Sequence, residues 1–293
     1  MDVELALDIR TELGEGPLWD DQRQRLLFVD IMQGHVHEFD PVTGAHRTVA
    51  FPWSVGAVAL CADGGWLLAA ADGFYRADPN TGATSLVAAV EAALPGNRMN
   101  DGYVDSRGRF WAGTMGMTTI GMKKVRNAGT LYRLDSDTSV HAMVTEVSTS
   151  NGIDWSLDNR TAYYIDTPTG RVDQFDFDLD AGTVSNRRPF AEIAPDDGSP
   201  DGLIVDAEGF VWVCLWRGSA VRRYAPDGRL DMVIAIPAAQ TTKCAFGGPD
   251  LDELFITSAW IGLTDQERAA QPLAGGLFRC RPGVKGRVPN RWS

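Results

Sequence analysis

Polar side chains that can bind metal or form hydrogen bonds stand directly before short apolar runs at regular places in the chain. The six equivalent places hold Glu15, Val55, Asn100, Asn151, Asp201 and Lys243. Carboxylate and amide oxygens are hard ligands, suited to Ca²⁺, Mg²⁺ or Mn²⁺ and usable by Zn²⁺ or Fe²⁺. If these positions meet in the fold, their two carboxylates and their amide oxygens form an oxygen-rich metal site.

The same residues have a second explanation as turn formers. They occur in NDG, NG and DG sequences, which are common turn signals, so a turn accounts for any one of them alone. Their recurrence at equivalent places in several repeats favours a shared site. Spacing by itself leaves both explanations open.

A repeated unit has to position these residues. Each copy has an apolar segment, a polar turn with Asp or Gly, a second apolar run and then a third strand that ends in a charged turn. The copies begin at Gly16, Gly56, Asp101, Asn151, Asp201 and Cys244. Six copies in 293 residues give about 49 residues each, which is the length of a four-stranded propeller blade. The sequence therefore predicts an all-β fold, a six-bladed β-propeller of one domain over residues 1–293, with the metal site in its central channel. A β-sandwich is the alternative.

Several local expectations follow from this repeat. The segment Val3–Arg10 precedes the first full copy and is expected to add a strand to the last blade. Short helical turns are expected around Val87–Ala93 and at Asp265–Ala270. We expect the tryptophans to pack between blades. We also expect the glycines beside the channel positions to leave space for metal or substrate.

Charge and composition exclude several classes of partner. With 39 Asp and Glu against 27 Lys and Arg the net charge is −12, and such a field repels nucleic acid. No run approaches about 18 consecutive apolar residues, so no membrane span is expected. We expect no signal peptide from the first residues, and the four cysteines are scattered without a CxxC pair. A cytoplasmic protein is the expectation. The sequence carries no signal for an oligomeric state.

Other catalytic motifs are absent from the sequence. It contains neither a GxSxG nucleophile elbow nor an HExxH zinc motif. His35 and His37 fall on one face of a predicted third strand, which lies far from a propeller's channel. A surface role is therefore expected for both histidines.

Longer motifs carry a resemblance that spans nearly every repeat in order. They include LGEGPLW at 13–19, NRMNDGYVDSRGRFWAGTM at 97–115, SNGIDWSLDNRTAYYIDT at 150–167, SPDGLIVDAEGFVWVCLW at 199–216 and KCAFGGPDLDELFIT at 243–257. With these motifs the chain resembles the SMP-30/gluconolactonase/regucalcin family, close to its bacterial sugar-lactonase members. The resemblance implies a six-bladed propeller with one divalent metal ion in the central channel.

The resemblance also implies roles for individual residues. The family's metal ligands match Glu15, Asn151 and Asp201, and its substrate-binding Arg and Asn match Arg98 and Asn100. The implied reaction is the hydrolysis of a sugar lactone, an aldonolactone, to its aldonic acid, with Asp201 as general base. Two alternatives stay open: a metal-dependent esterase or organophosphate hydrolase on the same scaffold, and a non-catalytic calcium-binding propeller.

One segment departs from the family's pattern. Some members carry a carboxylate pair just after GTM, and one of those Glu residues contacts the sugar. Here GTM is followed by Gly116, Met117 and Thr118, and the loop through Lys124 is basic and rich in Met. Substrate preference therefore does not carry over from those members. We expect the loop Gly116–Asn127 to cover the mouth of the channel.

Overall fold

The regular secondary structure of the chain consists almost entirely of short strands, as expected for an all-β protein. A computed structural model of the chain describes residues 2–118 and 123–293. Its strands are β1 (Glu4–Leu7), β2 (Gly14–Asp20), β3 (Arg25–Asp30), β4 (His35–Phe39), β5 (His46–Ala50), β6 (Val55–Leu60), β7 (Trp66–Ala70), β8 (Gly73–Ala77), β9 (Thr84–Ala89), β10 (Asn97–Val104), β11 (Phe110–Met117), β12 (Lys124–Val125), β13 (Gly129–Leu134), β14 (Val140–Val147), β15 (Ser150–Trp155), β16 (Thr161–Asp166), β17 (Arg171–Asp178), β18 (Thr183–Glu192), β19 (Ser199–Val205), β20 (Val211–Trp216), β21 (Ala220–Tyr224), β22 (Leu230–Ala235), β23 (Gln240–Gly247), β24 (Glu253–Ala259) and β25 (Leu277–Cys280). The described residues also form one α-helix, α1 (Asp265–Ala270), and two 3₁₀ turns, Thr167–Thr169 and Pro195–Asp197.

The strands pair in antiparallel groups that follow the order of the chain. Three sheets contain β2 to β5, β6 to β9 and β15 to β18, and a fourth contains β10, β11, β13 and β14 with β12 beside β11. The fifth sheet has eight strands, because the group β19 to β22 joins the group β23, β24, β25 and β1. A single residue pair, Trp216 with Gln240, connects these two groups. Antiparallel neighbours of this kind need only short turns between strands.

The first strands of the groups contact one another in a closed circle. The contacts run from β2 to β6, β10, β15, β19 and β23, and from β23 back to β2. At the edge of this arrangement, β1 pairs with β25 through Glu4 opposite Arg279. The predicted pairing of the N-terminal segment with the last group is therefore confirmed.

Large aromatic side chains fill the spaces between neighbouring groups. Trp19 on β2 stacks on Phe255 of β24 with ring centroids 6.2 Å apart. Trp111 on β11 meets Trp155 of β15 edge-on at 5.8 Å. Trp212 on β20 is likewise edge-on to Phe246 of β23, at 5.7 Å. These contacts cross from one group to the next, so the expected packing role of the tryptophans is confirmed for these residues.

The two expected helical turns have different outcomes. Asp265–Ala270 is a helix, started by a capping box in which Thr264 accepts from the Glu267 amide and Glu267 accepts from the Thr264 amide. The helical turn around Val87–Ala93 is wrong, because β9 extends to Ala89. That strand pairs with β8, and Val87 packs on the apolar core between β7 and β10. Tertiary packing overrides the local helical pattern here. No helix among residues 2–118 and 123–293 has the length and apolar character needed to span a membrane.

A strap formed by residues 285–293 crosses the C-terminal ends of the first strands. Backbone hydrogen bonds join it to Ala207, Leu251, Leu60 and Ala62, and side-chain bonds join it to Val205, Asp154, Val104 and Asp20. These partners belong to all six groups. Its central contact is Arg287, whose Nη2 lies 2.6 and 2.7 Å from the two carboxylate oxygens of buried Asp154. The strap therefore ties the groups together at one end of the circle.

His37 departs from the surface role expected of it. The side chain is only 4% exposed, and its Nδ1 lies 2.9 Å from the Thr48 hydroxyl and 3.1 Å from His46 Nε2. The ring stacks on Phe28 with centroids 4.7 Å apart. Burial, together with the neighbouring His46 and His35, lowers the pKa of His37 to about 3. The prediction that His35 and His37 share one face of a third strand is confirmed, since both lie on β4 and their rings meet edge-on with centroids 5.8 Å apart. The prediction of a surface role for His37 is wrong, because that face of β4 is covered at His37.

We expect Arg287→Leu to destabilise the fold by about 2–4 kcal/mol, because it leaves the Asp154 carboxylate buried and unpaired. Asp154 is 3% exposed and Arg287 28% exposed. The matched control is Arg188→Leu, which removes the exposed ion pair between Arg188 and Asp176 (38% and 54% exposed) and should cost less than about 1 kcal/mol. Urea unfolding measures both. Equal losses in the two variants would contradict a structural role for the strap.

We expect buried His37 to make the fold acid-sensitive. An unfolded histidine protonates near pH 6.5, whereas folded His37 stays neutral down to about pH 3. The unfolded state therefore binds the extra proton, and stability falls as the pH drops from about 6.5 towards 3. His37→Gln should flatten this slope by up to about 1.4 kcal/mol per pH unit in urea titrations. His141→Gln, at a largely exposed site (46%), is the control for the loss of a histidine side chain. An identical slope in wild type and His37→Gln would refute the assignment.

Candidate functional site

One cavity opens where the first strands of the groups begin. Its volume is about 460 Å³, within the range of small-molecule sites. Its polar lining consists of Glu12, Glu15, Arg98, Asn100, Lys124, Thr149, Asn151, Thr167 and Asp201. All five residues predicted for the site are therefore brought together. Two of the six equivalent positions in the repeats, Val55 and Lys243, do not line this cavity.

The remaining lining of the cavity is apolar. We call this set the apolar wall; it comprises Leu13, Met32, Met115, Met117, Trp216 and Ile261. Of the loop Gly116–Asn127, Met117 and Lys124 line the cavity, while residues 119–122 lie outside the described residues. The cavity thus has two chemically distinct parts.

A local irregularity in each first strand places these side chains. The register shifts between Glu15 and Leu18 on β2, and equivalent shifts occur on β6, β10, β15, β19 and β23. Such bulges re-aim side chains next to sites. On β2 the bulge includes Gly16, whose φ of 52° lies in the left-handed region that favours glycine.

Two of the glycines beside the channel positions, Gly152 and Gly202, have a different purpose from the one expected. A Cβ on Gly152 would lie 2.3 Å from the Leu203 amide nitrogen, and a Cβ on Gly202 would lie 2.5 Å from Lys243 Cβ. These neighbours belong to the next first strand of the circle. The glycines thus allow the first strands to approach one another, rather than leaving space for metal or substrate.

Glu15 and Asp201 bring two carboxylates into the same buried place. Their side chains are 4% and 5% exposed. Glu15 Oε2 accepts one hydrogen bond, from the Gly16 amide at 3.2 Å, whereas Asp201 accepts none from any described residue. Burial raises the pKa of Glu15 well above its usual value, and the nearby Asp201 and Asp101 carboxylates raise it further. Burial likewise raises the pKa of Asp201 to about 8, with Asp101 adding to the rise and Lys124 opposing it.

The two asparagines form a hydrogen-bonded chain along the floor of the cavity. Asn100 Nδ2 donates to Asn151 Oδ1 at 2.9 Å and to the Ser150 carbonyl at 2.8 Å. Asn151 Nδ2 donates to the Thr167 hydroxyl at 2.6 Å, and that hydroxyl donates to the Pro200 carbonyl at 2.9 Å. These bonds fix both amides, and a second lone pair of Asn151 Oδ1 stays available.

Arg98 is held beside the asparagines. Its Nη1 donates to Asn100 Oδ1 at 2.8 Å and to the Met99 carbonyl at 2.9 Å. Its Nε is buried and has no partner among the described residues. Burial lowers the pKa of Arg98 to about 10, although the charges of Glu15 and Asp201 act in the opposite direction. The guanidinium is therefore held in one orientation at a place where Arg98 lines the cavity.

An ion pair that we did not predict lies behind the two carboxylates. Lys243 Nζ is 2.5 Å from Asp101 Oδ1, and both side chains are 2% exposed. The Asp101 carboxylate also accepts from the Gly102 amide at 2.6 Å. The sequence signal was the recurrence of a polar residue before the last first strand, at Lys243, but the repeat did not identify its partner. The ammonium group supplies positive charge that partly balances Glu15 and Asp201.

The donor set suits a hard divalent cation. Two buried carboxylates, one of them without a hydrogen-bond donor, and one fixed amide oxygen are the ligand types that such ions prefer. In the part of the chain that the structure describes, no group of three or more His, Cys, Asp or Glu side chains is arranged to hold a metal. A metal here would therefore depend on the Asn151 amide as its third protein ligand. The residues present fit that role.

Comparison with known proteins gives consistent relatives. Residues 13–260 match the model of the SMP-30/Gluconolactonase/LRE-like region. The chain is 38% identical to regucalcin of Xenopus laevis, over 99% of this chain and 98% of that protein. It is also 38% identical to a putative sugar lactone lactonase of Bacillus subtilis, over 99% and 98% of the two chains.

A solved structure is similar over almost the whole chain. It is that of a calcium-binding regucalcin from Agrobacterium tumefaciens, with a TM-score of 0.93, 32% identity, and coverage of 99% of this chain and 96% of that one. The fold, the family model and the relatives agree along nearly all of the sequence. The chain belongs to the SMP-30/gluconolactonase/LRE-like family.

Proposed function

We propose that the protein is a metal-dependent hydrolase that opens a sugar lactone to the corresponding aldonic acid. The observation that carries this proposal is the pairing of buried Glu15 and Asp201 with the Asn151 amide, beside the oriented Arg98, on the floor of one cavity. The family match and the relative described as a putative sugar lactone lactonase support it.

The scaffold for this reaction is, in our interpretation, a single six-bladed β-propeller over residues 1–293. The closed circle of contacts among β2, β6, β10, β15, β19 and β23 supports six blades around one channel. The cavity lies at the starts of these strands and the strap at their ends. A ligand would then enter from the side that carries Glu15 and Asp201.

Glu15, Asn151 and Asp201 would hold one divalent metal ion, either Ca²⁺, Mg²⁺, Mn²⁺, Zn²⁺ or Fe²⁺. When bound, such an ion supplies Lewis-acid polarisation of the ester carbonyl. It also removes the conflict between the two buried carboxylates, since a cation among them favours their charged forms.

The side chains of this chain carry the remaining steps. Asp201 accepts a proton from the water molecule whose oxygen bonds to the lactone carbonyl carbon, and the proton passes to the ring oxygen as the carbon–oxygen bond of the ring breaks. Arg98 and Asn100 orient the substrate through directed hydrogen bonds. The products are one carboxylic acid group and one hydroxyl group on the same molecule, so water is the sole co-reactant.

A second function is supported by the names of relatives. Proteins called regucalcin match over the full length, and one solved relative is described as calcium-binding. A non-catalytic calcium-binding protein would use the same oxygen ligands. It would not require an oriented Arg98 with an unpartnered buried Nε, and this residue favours the hydrolase. A metal-dependent esterase or organophosphate hydrolase would use the same groups. Assays with a panel of sugar lactones, other esters and organophosphates distinguish these enzymes from a sugar lactonase.

We expect Asp201→Asn to weaken metal binding by at least about 100-fold. Substituting residues that only hydrogen-bond to a metal's ligands already lowers metal affinity by about 10- to 100-fold, and Asp201 is proposed as a direct ligand. Lactone hydrolysis should fall by about 10³-fold, because the general base is also lost. Calorimetric titration of chelator-treated protein with each metal ion measures binding, and a pH-stat with subtraction of spontaneous hydrolysis measures turnover. Asp196→Asn, an exposed carboxylate on the connection before β19, is the control. Wild-type binding and turnover in Asp201→Asn would refute the proposed site.

We expect Arg98→Met to separate substrate binding from metal binding. Removing the guanidinium should lower kcat/KM for lactones by about 10- to 100-fold, mainly through KM, because a charged donor to the ligand is lost. Metal affinity should be unchanged or tighter, since a positive charge near Glu15 and Asp201 disappears. Metal affinity from calorimetric titration and kcat/KM from the pH-stat are measured on the same preparation of the variant. A loss of metal binding equal to the loss of kcat/KM would contradict this division of roles.

A further inference from the structure

Two positively charged side chains line the cavity beside the candidate metal ligands, and the proposed mechanism uses only one of them. They belong to Arg98 and Lys124. Lys124 lies on β12, directly opposite Met117 of β11 in the antiparallel pair. Opposite residues in such a pair project from the same face, so this register directs Lys124 to the face on which Met117, part of the apolar wall, lines the cavity.

Both cations keep hydrogen-bond donors that a ligand can reach. Arg98 makes its two bonds through Nη1, whereas its Nη2 makes none with a described residue and, unlike Nε, is not completely buried. Lys124 is exposed and has neither a hydrogen bond nor an ion pair with any residue of the ranges that the structure describes. The ammonium group and the guanidinium group therefore both offer charged donors to the same space.

The negative charges that act on these two cations belong to the candidate metal ligands. Glu15 and Asp201 act on Arg98, and Asp201 acts on Lys124. Desolvation lowers the pKa of Lys124; the charge of Asp201 opposes this effect, and the like charge of Arg98 adds to it. A divalent ion bound to Glu15 and Asp201 would engage both carboxylates. The two cations would then need another counter-charge.

The third carboxylate of the lining, Glu12, does not supply it. Glu12 Oε2 accepts from Gln33 Nε2 at 2.5 Å, and its charge acts on Asp30. Two cationic and three anionic side chains, together with one divalent ion, leave the lining with one positive charge. The paired Lys243 and Asp101 lie behind the cavity and are neutral as a pair. A metal-loaded site of this composition favours a ligand with one negative charge.

We propose that the substrate is a sugar lactone that carries a free carboxylate, as does the monolactone of a sugar diacid (an aldaric acid). The ester lies at Asp201, and the distal carboxylate accepts hydrogen bonds from Lys124 Nζ and Arg98 Nη2. Glu12 repels that carboxylate and can accept from a ring hydroxyl, which sets the direction of the bound sugar. This inference rests on the proposed lactonase function and names its substrate class.

The test compares lactones with the same five-membered ring. D-glucaro-1,4-lactone carries a carboxylate where D-glucono-1,4-lactone carries a hydroxymethyl group. Metal-loaded protein is assayed with both in the pH-stat, with subtraction of spontaneous hydrolysis. We expect kcat/KM to be at least about tenfold higher for the carboxylate, the effect of one hydrogen bond between charged groups. The 6-amide of D-glucaro-1,4-lactone keeps the shape without the charge and should lose this advantage.

Substitutions at Lys124 make the comparison specific. Lys124→Met should lower the ratio of kcat/KM for D-glucaro-1,4-lactone to that for D-glucono-1,4-lactone by about tenfold, and Lys124→Arg, which keeps the charge, should retain most of the ratio. The matched control is Lys123→Met, at the neighbouring exposed lysine that does not line the cavity, and it should leave the ratio unchanged. Equal losses for both lactones in Lys124→Met would mean that Lys124 acts only through Asp201, and would overturn the inference.

A phosphate group is the other anion that two cations can hold. 6-Phospho-D-glucono-1,5-lactone is therefore compared with D-glucono-1,5-lactone in the same assay. A phosphate preference that depends on Lys124 and exceeds the carboxylate preference would assign the two cations to a phosphorylated sugar, and would overturn the carboxylate. A smaller phosphate preference supports the carboxylate.

A binding measurement separates this inference from the proposed function. The γ-lactams that match D-glucaro-1,4-lactone and D-glucono-1,4-lactone resist hydrolysis, and calorimetry reports their affinities for wild type and Lys124→Met. Binding of the carboxylate lactam at least about tenfold tighter in wild type, with the difference lost in Lys124→Met, supports the inference even if no lactone is hydrolysed. Equal affinities in wild type would overturn it. Hydrolysis of D-glucono-1,4-lactone without a preference for the carboxylate would also overturn it, and would leave the lactonase intact.

Discussion

The candidate site depends on keeping two like-charged carboxylates close together away from water. Glu15 and Asp201 are almost completely buried, and burial raises the pKa of each. A pair of this kind is costly unless protons or cations balance it. Lys243, itself paired with Asp101 behind the site, supplies only part of that balance. In our account a divalent ion would balance the remaining negative charge. The two buried carboxylates would then serve as its ligands.

The surrounding structure serves to hold this arrangement in place. Each first strand shifts register where its channel residue lies, and glycines such as Gly152 and Gly202 allow the first strands to approach closely. At the other ends of these strands, the strap bonds to all six groups. A rigid framework of this type lets side chains from distant parts of the chain meet at one point with fixed orientation.

Much of this arrangement could be predicted from the sequence, because a repeat converts distant positions into equivalent ones. The all-β class, the pairing of the N-terminal segment with the last group and the convergence of Glu15, Asn100, Asn151 and Asp201 follow from it. Arg98 was identified only through the resemblance to the family. The ligand roles of these residues stay predictions. A repeat does not identify the three-dimensional partners of a residue. The pairing of Lys243 with Asp101 and the path of the strap depend on contacts across the circle. The burial of His37 depends on its neighbours Phe28, His46 and Thr48 on adjacent strands of its own group. The strand at Val87 shows the same limit, since its partner β8 decides its conformation.

The central claim is that Glu15, Asn151 and Asp201 bind one metal ion together. Anomalous diffraction from crystals of Mn²⁺-loaded protein, measured on both sides of the manganese absorption edge, tests it most directly. The account predicts one strong peak in the cavity, about 2.0–2.4 Å from an oxygen of each of the three side chains. An empty cavity in fully loaded crystals, or a peak that Asp201 does not contact, would contradict it.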